Sequence, residues 1–298
     1  MIVNTCGAVK SGYSPSLTVS LQRGYSVKVV CIQAKDEVET FLRRHTFLHL
    51  YSLGDLDDFF WHYTTWYALK DEKRIEQLVL LYNTGTSIPV LLGLTAEPTD
   101  LMAELLRSIV YILPKKFYAH LSGDVASILA DDYQIKSHGL HYKMALTDSS
   151  RLDTVDTSFA NPLITSDSSE LEELYKVSYS DNWFDPRMLE TGYYYGIRRG
   201  GALVSVAGVH VFSEKYKVAA LGNITTHPLF RGQGLATVVC AKCCQELLRT
   251  VEYIGLNVKA DNQSAIACYA KLGFKCIATY GEYSLELKTA PAHPYFWD

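Results

Sequence analysis

A glycine turn in the last third of the chain has the composition of an anion-binding site. Gly232 and Gly234 lie between an apolar strand that ends at Thr226 and a helix that begins near Leu235. The first turn of a helix leaves several N–H groups without partners inside the helix, and such donors bind anions. The glycines let the backbone approach a ligand closely, and the Arg231 guanidinium adds donors for phosphate oxygens. The turn therefore predicts a phosphate site.

A second segment brings an amide, a small residue and a phenol onto successive turns of one short helix. Asn262, Ala265 and Tyr269 are followed by Gly273 and Phe274. A positioned phenol can act as a general acid, so this spacing is suited to protonating a leaving group. The alternative is that Tyr269 is an ordinary half-buried aromatic residue and that Gly273-Phe274 is a helix stop followed by a core residue.

Together the two segments resemble the acyl-coenzyme A site of the GNAT acyltransferases. The family pattern is Val/Ile-x-Pro-x-x-Arg-Gly-x-Gly-Ile/Leu-Gly/Ala, and residues 226–236 match it from Pro228 onward, with Thr226 in the Val/Ile position. Leu229 departs from the usual Gln or Arg, and Ala236 replaces a frequent Gly, but neither change removes a backbone donor. The resemblance implies acetyl-CoA as the donor molecule. The residues implied to bind it are Ile224, Thr225, Thr226, Phe230, Arg231, Gly232, Gln233, Gly234, Leu235, Ala236, Asn262, Ala265 and Tyr269.

The resemblance also implies a role for each part of the site. The backbone N–H groups of the turn would hold the pyrophosphate, and the main chains of Ile224 and Thr226 would pair with the pantetheine arm and polarise the thioester carbonyl. Asn262 would bind the pantetheine region, and Tyr269 would protonate the departing thiolate. The matching region covers roughly residues 155–290.

The general base is left open by the sequence. The strand before the turn carries Asn223 and no carboxylate, although many relatives have a Glu there. His227 ends this strand and His210 lies on its neighbour, and the pKa of histidine suits a base. His227 before Pro228 could equally cap the strand. Asn223 with an ordered water is a further candidate.

The composition indicates a globular protein of two domains. The 298 residues are 48% apolar and 20% charged, and this length exceeds the usual single domain. A net charge of −4 disfavours nucleic-acid or membrane-surface binding, because no basic excess is available to neutralise phosphates. No run of about 18 apolar residues is present, and the N-terminus does not read as a secretory signal. We expect a cytoplasmic protein.

Cysteine and histidine spacing predicts no metal site. The seven cysteines follow no small-domain framework and suit free thiols in a reducing compartment. Cys240, Cys243 and Cys244 lie in a helical pattern without a second ligand pair, so we expect them to pack in a core. His45 and His49 have the i, i+4 spacing of some zinc helices but no adjacent Glu.

The order of predicted elements is mixed α/β. We expect a loosely ordered segment (1–22), a first domain (23–147), a linker (148–162), a catalytic domain (163–290) and a tail (291–298). Predicted elements of the catalytic domain include a strand at Leu163–Thr165, a helix capped by Asp167 with Glu170, and two final strands. The final strands are expected at Lys275–Tyr280 and Glu282–Lys288.

The two halves of the sequence resemble each other. Tyr133–Leu146 parallels Phe274–Leu287 without a gap, and Phe117–Leu121 parallels Tyr253–Asn257. A match between common strand patterns would explain this similarity equally. If the repeat is real, the fold is two GNAT-like domains, each a mostly antiparallel twisted sheet flanked by helices. The first half has the acidic, glycine-free Thr95–Asp100 in place of the turn, so we expect a non-catalytic copy.

These observations predict an N-acyltransferase that moves an acetyl group from acetyl-CoA directly to a primary amine, with a small-molecule, amino-acid or peptide acceptor. One alternative is a glycine or other amino-acid N-acyltransferase that uses a longer acyl-CoA, and another is a non-catalytic CoA-binding module. Aromatics and carboxylates of Asp181–Asp185 and Tyr193–Tyr195 are candidates for the acceptor cleft, or for ordinary surface and core. The sequence does not indicate an oligomeric state.

Overall fold

A computed structural model of the chain describes residues 17–20, 26–72, 74–96, 98–180, 182 and 184–288. The expected tail and most of the expected segment 1–22 lie outside these residues. Within them no helix is long and apolar enough to cross a membrane.

The described residues form thirteen strands and seven α-helices. The strands are β1 (Leu17–Ser20), β2 (Ser26–Ile32), β3 (Thr64–Lys70), β4 (Ile75–Tyr82), β5 (Val90–Gly93), β6 (Lys116–Leu121), β7 (Tyr133–Leu146), β8 (Asn161–Pro162), β9 (Tyr195–Arg199), β10 (Ala202–Ser213), β11 (Val218–Thr226), β12 (Tyr253–Lys259) and β13 (Phe274–Leu287). The helices are α1 (Lys35–Leu42), α2 (Leu50–Gly54), α3 (Asp58–Trp61), α4 (Asp100–Ile109), α5 (Ser168–Ser178), α6 (Leu235–Leu247) and α7 (Gln263–Lys271).

All thirteen strands belong to one mostly antiparallel sheet, in the order β1-β2-β3-β4-β5-β6-β13-β7-β12-β11-β10-β9-β8. Only β5–β6 and β11–β12 run parallel. The predicted fold class of two mixed α/β halves is confirmed, and β7 and β13 cover the two stretches that the sequence repeat aligned with each other.

The halves exchange their last strands. β7 of the first half pairs with β12 of the second, and β13 of the second half pairs with β6 of the first. β7 and β13 then pair with each other over their whole length, from Phe274 opposite Leu146 to Leu287 opposite Tyr133. The two sheets are therefore continuous, and the predicted domain boundaries separate strands that pair across them.

A polar network of five side chains lies at this junction. Glu282 on β13 accepts hydrogen bonds from the hydroxyls of Tyr118 and Tyr280, the latter over 2.9 Å. The Nε2 atoms of His120 and His141 each lie 3.5 Å from its carboxylate. Burial would raise the pKa of Glu282, but the two imidazoles and the two phenols together lower it below its usual value. The carboxylate is therefore held ionised between the halves.

Three local predictions in the second half are wrong. Instead of a strand at Leu163–Thr165, the strand ends at Pro162 and a 3₁₀ turn covers Thr165–Asp167. Asp167 and Glu170 do not act as a capping pair for α5, because both carboxylates bind the guanidinium of Arg198 on β9. Two charges that the sequence places at a helix start are thus used to join this helix to the sheet.

The third error concerns the end of the sheet. β13 is one strand where two were predicted, because Gly281 does not turn the chain. It pairs with Leu121 on one side and with Leu140 on the other. A glycine flanked by two paired neighbours stays extended, since both edges of its backbone are engaged in the sheet.

Candidate functional site

The glycine turn forms an open loop at the start of α6. Gly232 and Gly234 have φ angles of 78° and 77°, in the left-handed region that favours glycine. A Cβ on either glycine would meet no atom within 4 Å, so the surface above the turn is open. No described residue accepts a hydrogen bond from the backbone N–H groups of residues 232–236. Five successive donors thus lie without a partner among the described residues at the positive end of a thirteen-residue helix.

The Arg231 side chain folds back onto the protein. Its Nε donates to the Thr226 carbonyl over 3.1 Å, and its Nη2 donates to the Ser178 carbonyl over 3.3 Å. These bonds tie the turn to the end of β11 and to α5. The guanidinium is exposed and keeps further N–H groups for a phosphate.

The strand that leads to this turn separates from its parallel neighbour. β11 pairs with β12 only over Val218–Leu221 and Tyr253–Leu256. From Gly222 to Thr226 no strand of the described residues pairs with that side of β11, while β12 continues to Lys259 beside β7. The main chains of Ile224 and Thr226 therefore lie along a gap between two strands, where an extended ligand can pair with them.

A β-bulge marks the point of separation. Val206 of β10 pairs with Thr225 of β11, and the next pair is Gly208 with Gly222. One residue of β10 therefore lies opposite two residues of β11 between these pairs. The extra residue lies at Asn223, which has a left-handed φ of 55°. Bulges re-aim a strand, and a non-glycine residue in this conformation is uncommon. The bulge thus turns the end of β11 away from β12.

Asn223 is held by its surroundings on three sides. Its Oδ1 lies 2.8 Å from His210 Nε2, and its Nδ2 donates to the Tyr194 hydroxyl over 2.8 Å. Its carbonyl accepts from the Tyr175 hydroxyl over 2.9 Å. Asn223 is buried, and burial lowers the pKa of His210, so this imidazole is neutral at physiological pH. The arrangement makes both residues supports of the bulge.

The structure separates His227 from this group. Its Nδ1 accepts from the Leu229 N–H over 3.3 Å, and its own N–H donates to the Val204 carbonyl over 2.8 Å. It caps the 3₁₀ turn of Pro228–Phe230 and lies against the ring of Phe230. The sequence left open a capping role at the end of the strand, and the structure instead shows His227 capping the turn that follows it.

The second motif lies on α7, beside α6. Asn262 is the N-cap, and its Oδ1 accepts from the Ala265 N–H over 3.2 Å, which leaves its Nδ2 without a partner among the described residues. Tyr269 is buried against the core of the second half, and no described residue hydrogen-bonds its hydroxyl. Burial, with the charges of nearby Cys240, Cys268, Tyr179 and Tyr51, raises the pKa of Tyr269, so its phenol keeps its proton.

Some residues predicted to line the acceptor cleft lie outside the described part of the chain, and others have structural partners. Asp181 and Trp183 lie outside the described residues. Asp185 caps the following 3₁₀ turn and binds Arg187, while Tyr194 supports the bulge and Tyr193 hydrogen-bonds Thr250 over 2.8 Å. These side chains have structural partners. The described residues contain no group of three His, Cys, Asp or Glu side chains that could hold a metal, and their six cysteines are free thiols.

The first half lacks the corresponding gap. β5 pairs with β6 over its whole length, from Val90 opposite Tyr118 to Gly93 opposite Leu121. The segment after β5 is closed by side chains, because Ser122 Oγ accepts from the Thr95 N–H over 3.1 Å and Gln77 donates to Thr95 Oγ1 over 3.0 Å. These strands leave no space for a ligand between them.

Comparison with known proteins agrees with this geometry. Residues 160–274 match the model of the acetyltransferase (GNAT) family, so this part of the chain is a GNAT domain. No curated protein matches the chain at a significant level.

Several solved structures share the fold at low identity. A GNAT-family protein of Novosphingobium aromaticivorans is 18% identical with a TM-score of 0.52, covering 71% of this chain and 89% of its own. A Drosophila protein is 12% identical with a TM-score of 0.63 over 86% of this chain and 98% of its own. A tandem GNAT protein from the clavulanic acid biosynthesis pathway is 14% identical with a TM-score of 0.51, over 89% and 99%. These likenesses extend the GNAT fold to both halves.

Proposed function

We propose that this protein is an N-acetyltransferase that binds acetyl-CoA in its second half and transfers the acetyl group directly to a primary amine. The observation that carries the proposal is the row of unpaired N–H groups at residues 232–236, next to the gap between β11 and β12. An anion site and an open strand edge in this order suit a pyrophosphate followed by an extended pantetheine arm.

In this proposal the residues of the chain position the thioester and manage one proton. The main chains of Ile224 and Thr226 pair with the pantetheine, and the free Nδ2 of Asn262 donates to it. Tyr269 enters the reaction protonated, because burial raises its pKa, and gives its proton to the thiolate that leaves. No thiol is needed as a nucleophile, which agrees with the buried, raised-pKa cysteines of α6.

Binding and turnover are tested separately. Calorimetry with coenzyme A should give a dissociation constant in the micromolar range, as is usual for substrates. Release of free thiol from acetyl-CoA is then followed with a panel of amines, amino acids and lysine peptides. Absence of coenzyme A binding would contradict the proposal. Binding without thiol release would favour a non-catalytic module, and faster turnover of a longer acyl-CoA with glycine would favour an amino-acid N-acyltransferase.

A further inference from the structure

Helix α2 of the first half lies directly on the catalytic sheet. It contacts β10, β11 and β12. A Cβ on Gly54 would lie 2.1 Å from Val211 Cγ1, and a Cβ on Gly255 would lie 2.3 Å from Leu50 Cδ1. Val211 and Gly255 flank Ala220 in one row of the sheet, three residues before the bulge at Asn223. The helix is therefore fixed by close packing just below the gap between β11 and β12.

One face of α2 lies near side chains of the strands that border this gap. Tyr51 and Asp55 are one turn apart, joined by a hydrogen bond of 2.9 Å between the Asp55 N–H and the Tyr51 carbonyl, so they share a face. The Tyr51 ring lies 4.9 Å from the Nζ of Lys143, which is bonded to Asn257. Asn257 is the first residue of β12 beyond its pairing with β11. Tyr51 is also near enough to Tyr269 for their charges to interact.

The carboxylate of Asp55 is the unusual group on this face. It is only partly exposed, and it forms no hydrogen bond or ion pair with any residue in the described part of the chain. Burial raises its pKa to about 7. The two following acids are satisfied, since Asp57 accepts from Ser213 over 2.8 Å and Asp58 pairs with Lys35. A desolvated carboxylate without a partner is costly, so its presence one turn from Tyr51 on a helix packed against the catalytic sheet points to a ligand.

The titratable groups around Asp55 come from several elements. Tyr51 shares its helix, and Tyr82 of β4 lies close enough for the Asp55 charge to add to burial in raising its pKa. The elements packed around α2 also carry His210 on β10 and Lys143 on β7, while Lys35 of α1 donates to the Leu56 carbonyl. None of them forms an ion pair with Asp55 within the described residues. A positively charged group of a bound substrate could therefore form an ion pair with Asp55 without displacing one of these residues.

We propose that Asp55, supplied by the first half, binds the ammonium group of the acceptor and takes its proton. This inference rests on the proposed acetyl transfer and extends it to the acceptor, which would be an amine that is protonated in solution. The first half is then part of the catalytic centre.

Asp55 takes one proton from the ammonium group, and the neutral nitrogen attacks the thioester carbonyl carbon. The carbon–sulfur bond breaks, and the thiolate receives the phenol proton of Tyr269. The surplus proton on the new amide nitrogen restores the phenol, and Asp55 releases its proton to solvent.

The test compares two amines that differ in protonation. Ethylamine is almost wholly protonated at neutral pH, whereas hydroxylamine is largely neutral and needs no base before attack. With acetyl-CoA, Asp55→Asn should lower kcat/KM for ethylamine by about a hundredfold or more and change it for hydroxylamine much less. Asp58→Asn, an exposed acid three residues away, is the matched control and should match the unmodified protein with both amines.

Two further readouts keep the outcomes distinct. Coenzyme A affinity should be unchanged in Asp55→Asn, and infrared titration should show a carboxyl group that ionises near neutral pH in the unmodified protein and is missing in the variant. Equal loss with both amines, unchanged turnover of ethylamine, or no such titrating carboxyl would overturn the role of Asp55. Failure of the unmodified protein to bind coenzyme A would instead count against the proposed function.

Discussion

The Nζ of Lys143 donates a hydrogen bond of 3.2 Å to the Oδ1 of Asn257, across the pair formed by β7 and β12. Lys143 belongs to the first half of the chain and Asn257 to the second. The contact exists because β7 of the first half pairs with β12 of the second half, and β12 borders the gap beside β11. One wall of the candidate site is thus built by strand exchange, so neither half has the complete site alone.

Removal of the Lys143 charge should change how stability depends on pH. The lysine is 3% exposed, and its desolvation lowers its pKa to about 7, although Glu282 acts in the opposite direction. As pH falls from the ordinary lysine pKa toward 7, the unfolded chain binds a proton that the folded chain does not. The free energy of unfolding therefore decreases over this range and levels off below it.

We expect Lys143→Met to abolish this decrease. Relative to the variant, the unmodified protein should lose on the order of a few kcal/mol between pH 10 and pH 7, measured by denaturant unfolding. Lys136→Met, at an exposed position of the same strand, is the control and should leave the pH dependence as it is. Parallel stability curves for Lys143→Met and the unmodified protein would mean that Lys143 is charged in the folded state.

Local sequence patterns predicted much of the fold but not the strand exchange. The repeat aligned Tyr133–Leu146 with Phe274–Leu287, and each of these stretches is one strand, although two strands were predicted in the second. Their alternation of side chains is satisfied equally by pairing within a half or across halves, so spacing alone could not choose. The choice depends on contacts between residues more than a hundred positions apart.

In the candidate site, too, the local features were predicted from the sequence and the long-range ones were not. Gly232, Gly234 and Asn262 were visible from sequence because helix starts and turns are local. Asp55 carries no such signal, since its position near the catalytic sheet arises only when α2 packs on β10–β12. The i, i+4 spacing of Tyr51 and Asp55 was available, but nothing in it specified the surface that this face meets.

Gly273 should be sensitive to substitution for a reason other than stopping a helix. Its φ is 94°, and a Cβ would lie 2.0 Å from the carbonyl oxygen of Asp148. Its own carbonyl accepts from the Thr147 N–H over 3.1 Å. Because the clash is with backbone, Gly273→Ala should lower the free energy of unfolding by about 2–4 kcal/mol.

The control for this steric effect is Gly200→Ala. Gly200 also has a positive φ, of 58°, but a Cβ there would meet no atom within 4 Å. We expect a loss of only about 1 kcal/mol, from backbone strain. Equal losses in the two variants, measured by urea unfolding, would show that the contact with Asp148 relaxes at no cost.

Gly234→Ala should weaken coenzyme A binding without a clash. The residue starts α6 with φ of 77°, and alanine in this conformation is strained by about 1–2 kcal/mol. The turn is expected to relieve the strain by rotating its N–H groups, which would raise the dissociation constant about tenfold or more. Gly192→Ala is the matched control, because Gly192 has φ of 75° and equally open surroundings outside the turn. If both variants bind coenzyme A equally, these N–H groups do not hold the pyrophosphate.

Tyr269→Phe tests the role of Tyr269 as the acid independently of the role of Asp55 as the base. If the phenol protonates the thiolate, kcat for thiol release from acetyl-CoA should fall at least about tenfold with ethylamine and with hydroxylamine alike, because both reactions expel the same thiolate. Asp55→Asn should instead affect the reaction with ethylamine far more than the reaction with hydroxylamine. Tyr142→Phe, in a half-buried tyrosine packed against the same core, should leave both rates and the coenzyme A affinity unchanged. A Tyr269→Phe enzyme that slows with ethylamine only would place this tyrosine on the acceptor side of the reaction and leave the thiolate to be protonated by solvent.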